Sequence, residues 1–369
     1  MSSLSDSLSA DFKPIIGWDI GGAHLKAVLL NAQGNIVHIQ QLPCPLWRGL
    51  HELDSAIQQM LNIFNIKPLR ASHAITMTGE LVDCFANRLE GVCAIAQLTS
   101  SVLGESVRFY AANNGAGNAS SHDFVAHKEA NQLAQQIASA NWHASASALA
   151  MRVPNALLID IGSTTTDIIP IDDGIVALAA LSDAARLQND TLVYTGVVRT
   201  PVMALAQKLP FGGHEVNVMA EHFATMADVY RLTGELNATC DMADTADGKG
   251  KTQLESAQRL ARMIGYDANQ SLEQWIVLAQ ACRNLQIMQI KRAVLKHLKP
   301  NAPIIGAGAG AFLVRAIAAE LAHPYLTLAD VLPKITATNA AQANNTQVEV
   351  CLPAVAVAFL AFNKHLFLH

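Results

Sequence analysis

Three short segments of the chain carry residue types that bind phosphate groups. The strongest is DIGSTTTD at residues 160–167, in which a glycine and a run of hydroxyl side chains follow Asp160. Glycine lets the backbone come close to a ligand, and backbone N–H groups with neighbouring hydroxyls bind phosphate oxygens. An aspartate at a strand end could hold Mg²⁺ through water, because this cation keeps part of its hydration shell. The residues that such a hairpin would place at the phosphate are Gly162, Ser163, Thr164 and Thr165.

The alternative for this segment is a polar hairpin whose threonines serve strand formation alone. A second copy of the pattern, DIGGAHLK at residues 19–26, favours the phosphate-binding interpretation. We expect Asp19 to hold metal, Gly21 and Gly22 to bind phosphate oxygens, and Lys26 to meet a phosphate. Both copies lie between two apolar runs, which predicts two halves of similar build.

The third segment is GAGAG at residues 306–310, which follows an apolar run and opens a helical pattern. A helix N-terminus attracts anions, and a glycine turn lets a nucleotide lie against the backbone. A dinucleotide fingerprint needs an acidic residue about 20 positions on at a strand end, but Glu320 falls inside the predicted helix. Close packing of strand and helix is the alternative explanation. The predicted nucleotide contacts are Gly306, Gly308 and Gly310.

The apolar patterns alternate between strand and helix, which indicates an α/β fold. Predicted strands cover residues 15–20, 25–30, 36–42, 74–77, 156–161, 165–171 and 302–305. Predicted helices cover residues 50–64, 80–89, 123–151, 220–236, 253–264, 272–298 and 353–365, and one runs from the glycine loop to about residue 321. Ser271, followed by Gln274, predicts a capping box at the start of one helix.

These elements predict three parts of the chain. Residues 1–13 are rich in serine and are expected to be a mobile tail. Residues 14–153 would form a first lobe, onto which a C-terminal helix at residues 351–369 packs back. Residues 154–350 would form a second lobe with a helical insertion.

Composition and charge exclude several classes of protein. The 369 residues are 51% hydrophobic and 15% charged, which excludes a disordered chain. A net charge of −5 shows no basic excess, so we expect no nucleic-acid partner. The apolar run at residues 354–362 is shorter than the roughly 20 residues that span a bilayer, and the first ten residues lack a signal-peptide pattern. We therefore expect a cytoplasmic protein with no membrane contact. No CxxC pair occurs among the six cysteines, and the oligomeric state, a homo-oligomer included, stays open.

Longer motifs carry a resemblance to a known family. They are GWDIGGAHLKA at 17–27, MTGEL at 77–81, ANW at 140–142, DIGSTTTDIIPI at 160–171, YTGVVRTPV at 194–202 and EHFATMADVYRLTGEL at 221–236. The phosphate-binding segments resemble the actin-like ATPase superfamily, which implies two lobes of ribonuclease H-like fold with duplicated strand–turn–strand phosphate loops. More narrowly, the chain resembles the hydantoinase A/oxoprolinase family. The motifs at 194–202 and 221–236 resemble its short branch linked to tetrahydromethanopterin and methanofuran one-carbon metabolism.

This resemblance implies a transferase of methanofuran-type cofactor biosynthesis. Archaeal members of the branch join a furan-methanamine diphosphate to a tyramine–glutamate phenol, and pyrophosphate leaves. The implied cofactor is Mg²⁺, held by Asp19 and Asp160. Arg199 would bind either the diphosphate or the glutamate carboxylate. Glu221, on one predicted helical face with Asp228, is a candidate general base.

Two other functions stay open from the sequence. One is an ATP-dependent amidohydrolase of the hydantoinase type, and the other is a kinase-like or non-enzymatic ATP-binding protein. Ala23 and His24 stand where nucleotide-binding relatives usually carry hydroxyls, which argues against tight ATP hydrolysis. Whether ATP binds at all stays open.

Overall fold

The fold is seen in a computed structural model of the chain. It describes residues 13–112, 122–178, 181–332, 334–336, 344–364 and 366. The predicted mobile tail lies outside these residues, apart from Lys13. Chain contacts define two compact units. The first holds the residues up to Asn155, Ile171–Leu181 and the residues from Thr327 on, and the second holds Ala156–Pro170 and Ser182–Leu326.

Strands and helices alternate along most of the described chain. The strands are β1 (Ile15–Ile20), β2 (His24–Leu30), β3 (Ile36–Pro43), β4 (Ser72–Met77), β5 (Val107–Ala112), β6 (His122–Ala126), β7 (Ala156–Ile161), β8 (Thr166–Asp172), β9 (Ile175–Val176), β10 (Leu192–Val193), β11 (Lys208–Phe211), β12 (His214–Asn217), β13 (Ile304–Ala307) and β14 (Tyr325–Leu326). The α-helices are α1 (Leu50–Phe64), α2 (Arg88–Leu103), α3 (Ala134–Ile137), α4 (Asn141–Ala150), α5 (Asp183–Gln188), α6 (Val202–Leu205), α7 (Met226–Thr233), α8 (Gln253–Arg262), α9 (Leu272–His297), α10 (Ala311–Glu320), α11 (Leu328–Val331), α12 (Asn345–Val350) and α13 (Leu352–Asn363). Single 3-10 turns lie at Leu46–Arg48, Pro68–Arg70, Gly79–Leu81, His127–Glu129 and Ala238–Cys240.

The first unit is built on a sheet with the strand order β3-β2-β1-β4-β5-β6. Strand β1 pairs antiparallel with β2 and parallel with β4, so the end of β1 lies beside the turn into β2. Alternate residues of β1, such as Trp18 and Ile20, pack into a core with α1. Helix α1 buries Leu53, Ile57 and Leu61, whose spacing places them on one face.

The C-terminal helix α13 packs on the other face of β1, within the first unit. It is buried over Leu352–Ala361, which explains why it is apolar all round. Gly17 in β1 permits this contact, because a Cβ there would lie 2.1 Å from the carbonyl oxygen of Ala354.

The second unit repeats the arrangement of the first. Its sheet has the order β10-β8-β7-β13-β14. Strand β7 lies between β8 and β13 in this sheet, as β1 lies between β2 and β4 in the first unit. Strands β7, β13 and β14 run parallel, as do β1, β4 and β5 in the first unit. In both units the first strand ends at an aspartate and a glycine turn. This duplication confirms the predicted fold class, the actin-like ATPase (ribonuclease H-like) fold with two strand–turn–strand loops.

The helix predicted over residues 123–151 is wrong. Residues 122–126 form β6, which pairs with β5, and the chain then makes short turns before α4. Ser139 has a left-handed backbone with φ 51°, which a continuous helix does not allow. The alanine and glutamine content predicted helix, and strand pairing overrode it.

The starts of two further helices and one predicted cap also differ from the prediction. The helix predicted over 80–89 is a 3-10 turn, and α2 starts only after Asn87, whose side chain accepts from the Glu90 amide at 3.0 Å. The helix predicted over 220–236 starts at Met226, where the carboxylate of Asp228 accepts a hydrogen bond of 3.1 Å from the amide of Thr225. Ser271 makes no capping hydrogen bond to the backbone of α9, so the predicted capping box is absent there.

Candidate active site at two glycine hairpins

The first hairpin joins β1 to β2, and Asp19 stands just before its turn. The register partners of Asp19 are Lys26 in β2 and Thr76 in β4. Its side chain is almost fully buried, and Oδ2 lies 3.3 Å from the Nζ of Lys26. The ammonium group offsets the cost of burying the carboxylate. The other oxygen, Oδ1, has no hydrogen-bond partner among the described residues, so it is an acceptor that a bound group could satisfy.

The turn of the first hairpin is shaped by glycine and by the segment after β4. The amide of Gly21 donates to the carbonyl oxygen of His24 at 3.0 Å, which closes the turn. The amide of Thr78 donates to the carbonyl oxygen of Ile20 at 2.9 Å, so the MTGEL motif lies against the hairpin. A Cβ at Gly22 would lie 2.7 Å from a methyl group of Val82. Packing therefore accounts for glycine at this position.

The second hairpin, Gly162–Thr165, joins β7 to β8 and presents the predicted hydroxyls. The amide of Gly162 donates to the carbonyl oxygen of Thr165 at 2.8 Å. The hydroxyl oxygens of Ser163 and Thr164 are 3.3 Å apart. All four residues are half-buried, so solvent or a ligand can reach them. Asp160, two residues before Gly162, is also half-buried.

The second aspartate of the DIGSTTTD motif has a structural role. Asp167 accepts a hydrogen bond of 2.6 Å from Arg186, whose side chain is 2% exposed. Burial raises the pKa of Asp167, and the charge and hydrogen bond of Arg186 oppose this rise. The pairing with Arg186 shows that Asp167 stabilises the fold of the second unit.

A buried segment, Thr191–Thr200, runs along the second hairpin, and we call it the strap. The amide of Val197 donates to the carbonyl oxygen of Gly162 at 3.1 Å, and that of Arg199 donates to the carbonyl oxygen of Ser163 at 2.8 Å. A Cβ at Gly196 would lie 2.4 Å from the amide nitrogen of Thr164. The strap thus fixes the hairpin by backbone hydrogen bonds, and glycine at position 196 permits the close approach of the two segments.

The predicted site residue Arg199 lies on this strap. Its Nε donates to the Thr164 hydroxyl at 2.7 Å, and its side chain is exposed. The structure therefore brings together a guanidinium group and the hydroxyl run. Such a pair is suited to an anion.

Two buried side chains hold the strap and were missed in the sequence. Gln286 in α9 donates to the hydroxyl of Thr195 at 2.7 Å and to the carbonyl oxygen of Gly196 at 2.9 Å. Its own carbonyl oxygen accepts from the hydroxyl of Tyr230 in α7. A lone glutamine inside a long helix gives no sequence signal, because its partners lie far away along the chain.

The glycine loop at residues 306–310 joins β13 to α10. Cβ atoms at Gly306 and Gly310 would lie 2.4 Å from the Tyr325 hydroxyl and 2.5 Å from a methyl group of Ile161. Packing alone therefore accounts for these two glycines. Gly308 differs, since it has φ +81° and a Cβ there would lie 2.3 Å from Oδ1 of Asp160. The loop thus lies directly against the predicted metal ligand.

Glu221 and Asp228 do not share a helical face. Glu221 is exposed in the segment before α7, whereas Asp228 is buried in the first turn of that helix. Asp228 accepts hydrogen bonds of 2.8 Å from both Arg231 and Arg259. Its role is therefore to stabilise the fold. Glu221 lies four residues before Thr225, which bridges to Pro201, the residue that follows the strap.

The two predicted metal ligands, Asp19 and Asp160, have different surroundings. Asp19 offers a buried oxygen that has no hydrogen-bond partner among the described residues, and such an oxygen fits a hydrated Mg²⁺, which binds few carboxylates and keeps water ligands. At Asp160, the lack of a Cβ at Gly308 lets the glycine loop approach the carboxylate closely. Among the described residues, no group of three or more His, Cys, Asp and Glu side chains could hold a metal by itself.

Comparison with known proteins shows the class to which the chain belongs. A model of the hydantoinase/oxoprolinase family matches residues 71–331, so the chain is a member of that family. This confirms the predicted resemblance.

Two individual proteins are similar to the chain in sequence. The (4-{4-[2-(gamma-L-glutamylamino)ethyl]phenoxymethyl}furan-2-yl)methanamine synthase of Methanocaldococcus jannaschii is 34% identical over 254 residues, which is 69% of this chain and 72% of that protein. The synthase of the same name from Methanococcus vannielii is 35% identical over 159 residues, 42% of this chain and 71% of that protein.

A solved structure supports the fold. The nucleotide-free structure of acetone carboxylase matches with a TM-score of 0.51 and 10% identity, covering 84% of this chain and 67% of that one. At this identity the likeness concerns the fold alone. Of the helices in the described residues, none is both long and apolar enough to cross a bilayer.

Proposed function

We propose that the protein is a transferase of methanofuran-type cofactor biosynthesis. It would join a furan-methanamine diphosphate to a tyramine–glutamate phenol and release pyrophosphate. The observation that carries the proposal is the identity of 34% to a synthase of that ether product, over 72% of its length. The duplicated glycine hairpins support it, since each offers phosphate contacts and a carboxylate.

The proposed reaction forms one bond and breaks another. The phenol oxygen attacks the methylene carbon next to the furan, and the bond from that carbon to the diphosphate oxygen breaks. Pyrophosphate takes the electron pair, and the phenol proton passes to a base. The furan ring supports positive charge on this carbon, so the protein needs mainly to orient the reactants and stabilise the leaving group.

The residues of the two hairpins would bind the phosphate oxygens. In the second unit the hydroxyls of Ser163, Thr164 and Thr165 would donate to them. In the first unit Lys26 would neutralise phosphate charge, and the turn at Gly21 and Gly22 would let an anion approach the backbone.

Asp19 in the first unit and Asp160 in the second are each proposed as a ligand of Mg²⁺ through water, and Mg²⁺ when bound would stabilise charge on the departing pyrophosphate. Glu221 is proposed to accept the phenol proton. A phenol has a pKa near 10, so a nearby carboxylate would assist its deprotonation. ATP as a ligand of the Gly306–Gly310 loop stays a secondary proposal.

The test is an assay with the diphosphate furan amine, the tyramine–glutamate phenol and Mg²⁺. We expect ether product and pyrophosphate to appear in equal amounts. The same protein with ATP alone should release phosphate far more slowly. Rapid ATP turnover without ether formation would contradict the proposal and favour the ATP-dependent amidohydrolase that the family description allows.

Two controls accompany this assay: a variant at an exposed residue, and a reaction without the phenol. Asp173→Asn changes an exposed turn residue and should leave the rate unchanged. Omission of the phenol should abolish pyrophosphate release. Release that continues without it would indicate a diphosphate hydrolase.

A further inference from the structure

The strap exposes two side chains, Tyr194 and Arg199. Every other residue of Thr191–Thr200 is buried, whereas Tyr194 is 68% exposed. A tyrosine ring stabilises a fold by burial and by contact with other rings. Tyr194 gains little from burial and makes no ring contact with another described residue, so the packing of the described chain does not explain an aromatic residue at this position.

Backbone contacts fix where these two side chains leave the strap. Tyr194 follows Val193, which pairs with Thr166 at the start of β8. Arg199 is bonded through its amide to Ser163. The strap is therefore fixed to the hydroxyl-bearing hairpin next to both residues: at Thr166 beside Tyr194, and at Ser163 and Thr164 beside Arg199.

Arg199 is oriented before any ligand binds. Its Nε bond to Thr164 uses one nitrogen and leaves the two Nη groups to bind an anion. Two such donors match a carboxylate in a bidentate arrangement. An exposed tyrosine ring can stack on, or meet edge-on, another aromatic ring.

We propose that Tyr194 and Arg199 form the subsite for the phenolic acceptor. Tyr194 contacts the phenol ring, and Arg199 binds a carboxylate of the acceptor's glutamyl group. This assignment rests on the proposed function and goes beyond it, because it separates the acceptor from the diphosphate, which the hydroxyls bind. It selects acceptors that carry both an aromatic ring and a carboxylate.

The experiment compares two acceptors, tyramine and the tyramine–glutamate phenol, with four variants. Tyr194→Ala should raise the KM for both acceptors about three- to tenfold, and Tyr194→Phe should keep the wild-type value. Arg199→Met should raise the KM for the glutamyl acceptor about tenfold or more and leave that for tyramine unchanged. Leu254→Ala, a matched control that is 61% exposed on α8, should change neither.

The KM for the diphosphate should stay unchanged in the Tyr194 variants. Unchanged acceptor KM values in Tyr194→Ala would overturn the inference, and so would an effect of both substitutions on the diphosphate alone. If wild-type protein forms no ether, the proposed function fails. Calorimetric titration of the tyramine–glutamate phenol then decides the inference by itself: weaker binding to Tyr194→Ala than to wild type supports it, and equal or absent binding overturns it.

Discussion

At the scale of single residues, a substitution of Asp160 should slow the reaction without impairing folding. Asp160 is half-buried near the end of β7, where the glycine loop approaches its carboxylate at Gly308. We expect Asp160→Asn to lower kcat by about a hundredfold or more, since it removes the charge that would organise Mg²⁺. The midpoint of thermal unfolding should change little, because the amide keeps the shape of the side chain. A variant that retains more than about a tenth of the wild-type rate would remove Asp160 from the site.

A separate prediction concerns Lys26, whose Nζ lies 3.3 Å from Oδ2 of Asp19. Lys26→Met should raise the KM for the diphosphate by about ten- to a hundredfold, as expected for loss of a charged contact. Lys208→Met, which changes an exposed lysine of β11, serves as the control. If only the KM for the acceptor increased, the assignment of Lys26 to the diphosphate would be wrong.

At the scale of elements, the predictions from sequence were best where a pattern was local. Strands β1 and β7 and helix α1 were predicted with their observed bounds, because their apolar periodicity is continuous. The strap was not predicted as a structure. Its shape depends on Gln286, which lies 91 positions from Thr195 along the chain, and no local pattern reports such a contact.

The hydrogen bonds of Gln286 in α9 to Thr195 and Gly196 of the strap, which we call the brace, should position the second hairpin. Gln286→Leu would leave the hydroxyls of Thr195 and Tyr230 without buried partners, which costs about 1–3 kcal/mol for each group. We expect lower stability to urea and a higher KM for the diphosphate. Tyr230→Phe removes one bond but keeps those of Gln286 to the strap, so it should lower stability alone. Equal KM values in both variants and wild type would show that the brace does not position the hairpin.

At the scale of the whole molecule, the repeated hairpin motif was enough to predict the duplicated fold. Two aspartate–glycine turns in similar contexts indicated two similar sheets, and their strand orders agree. The acidic residues of the second unit were harder to interpret. Asp241 pairs with Arg231, and Asp247 pairs with Arg259. Sequence spacing gave no sign of these pairs, because the partners lie on two helices.

This ion network makes the stability of the molecule depend on acid pH. Burial alone would raise the pKa of Asp241, but the hydrogen bonds of Arg231 and the charges of Arg231 and Lys251 outweigh it, and the pKa lies below its ordinary value of 3.8. A lowered pKa contributes stability that is complete above pH 3.8 and is lost as the pH falls through the folded-state value. We therefore expect the free energy of unfolding to fall less between pH 6 and pH 3 in Asp241→Asn than in wild type. Urea titrations at several pH values measure this difference, and Asp244→Asn, an exposed neighbour, should follow the wild-type curve. Parallel curves for wild type and Asp241→Asn would show that the Asp241 pair adds no pH-dependent stability.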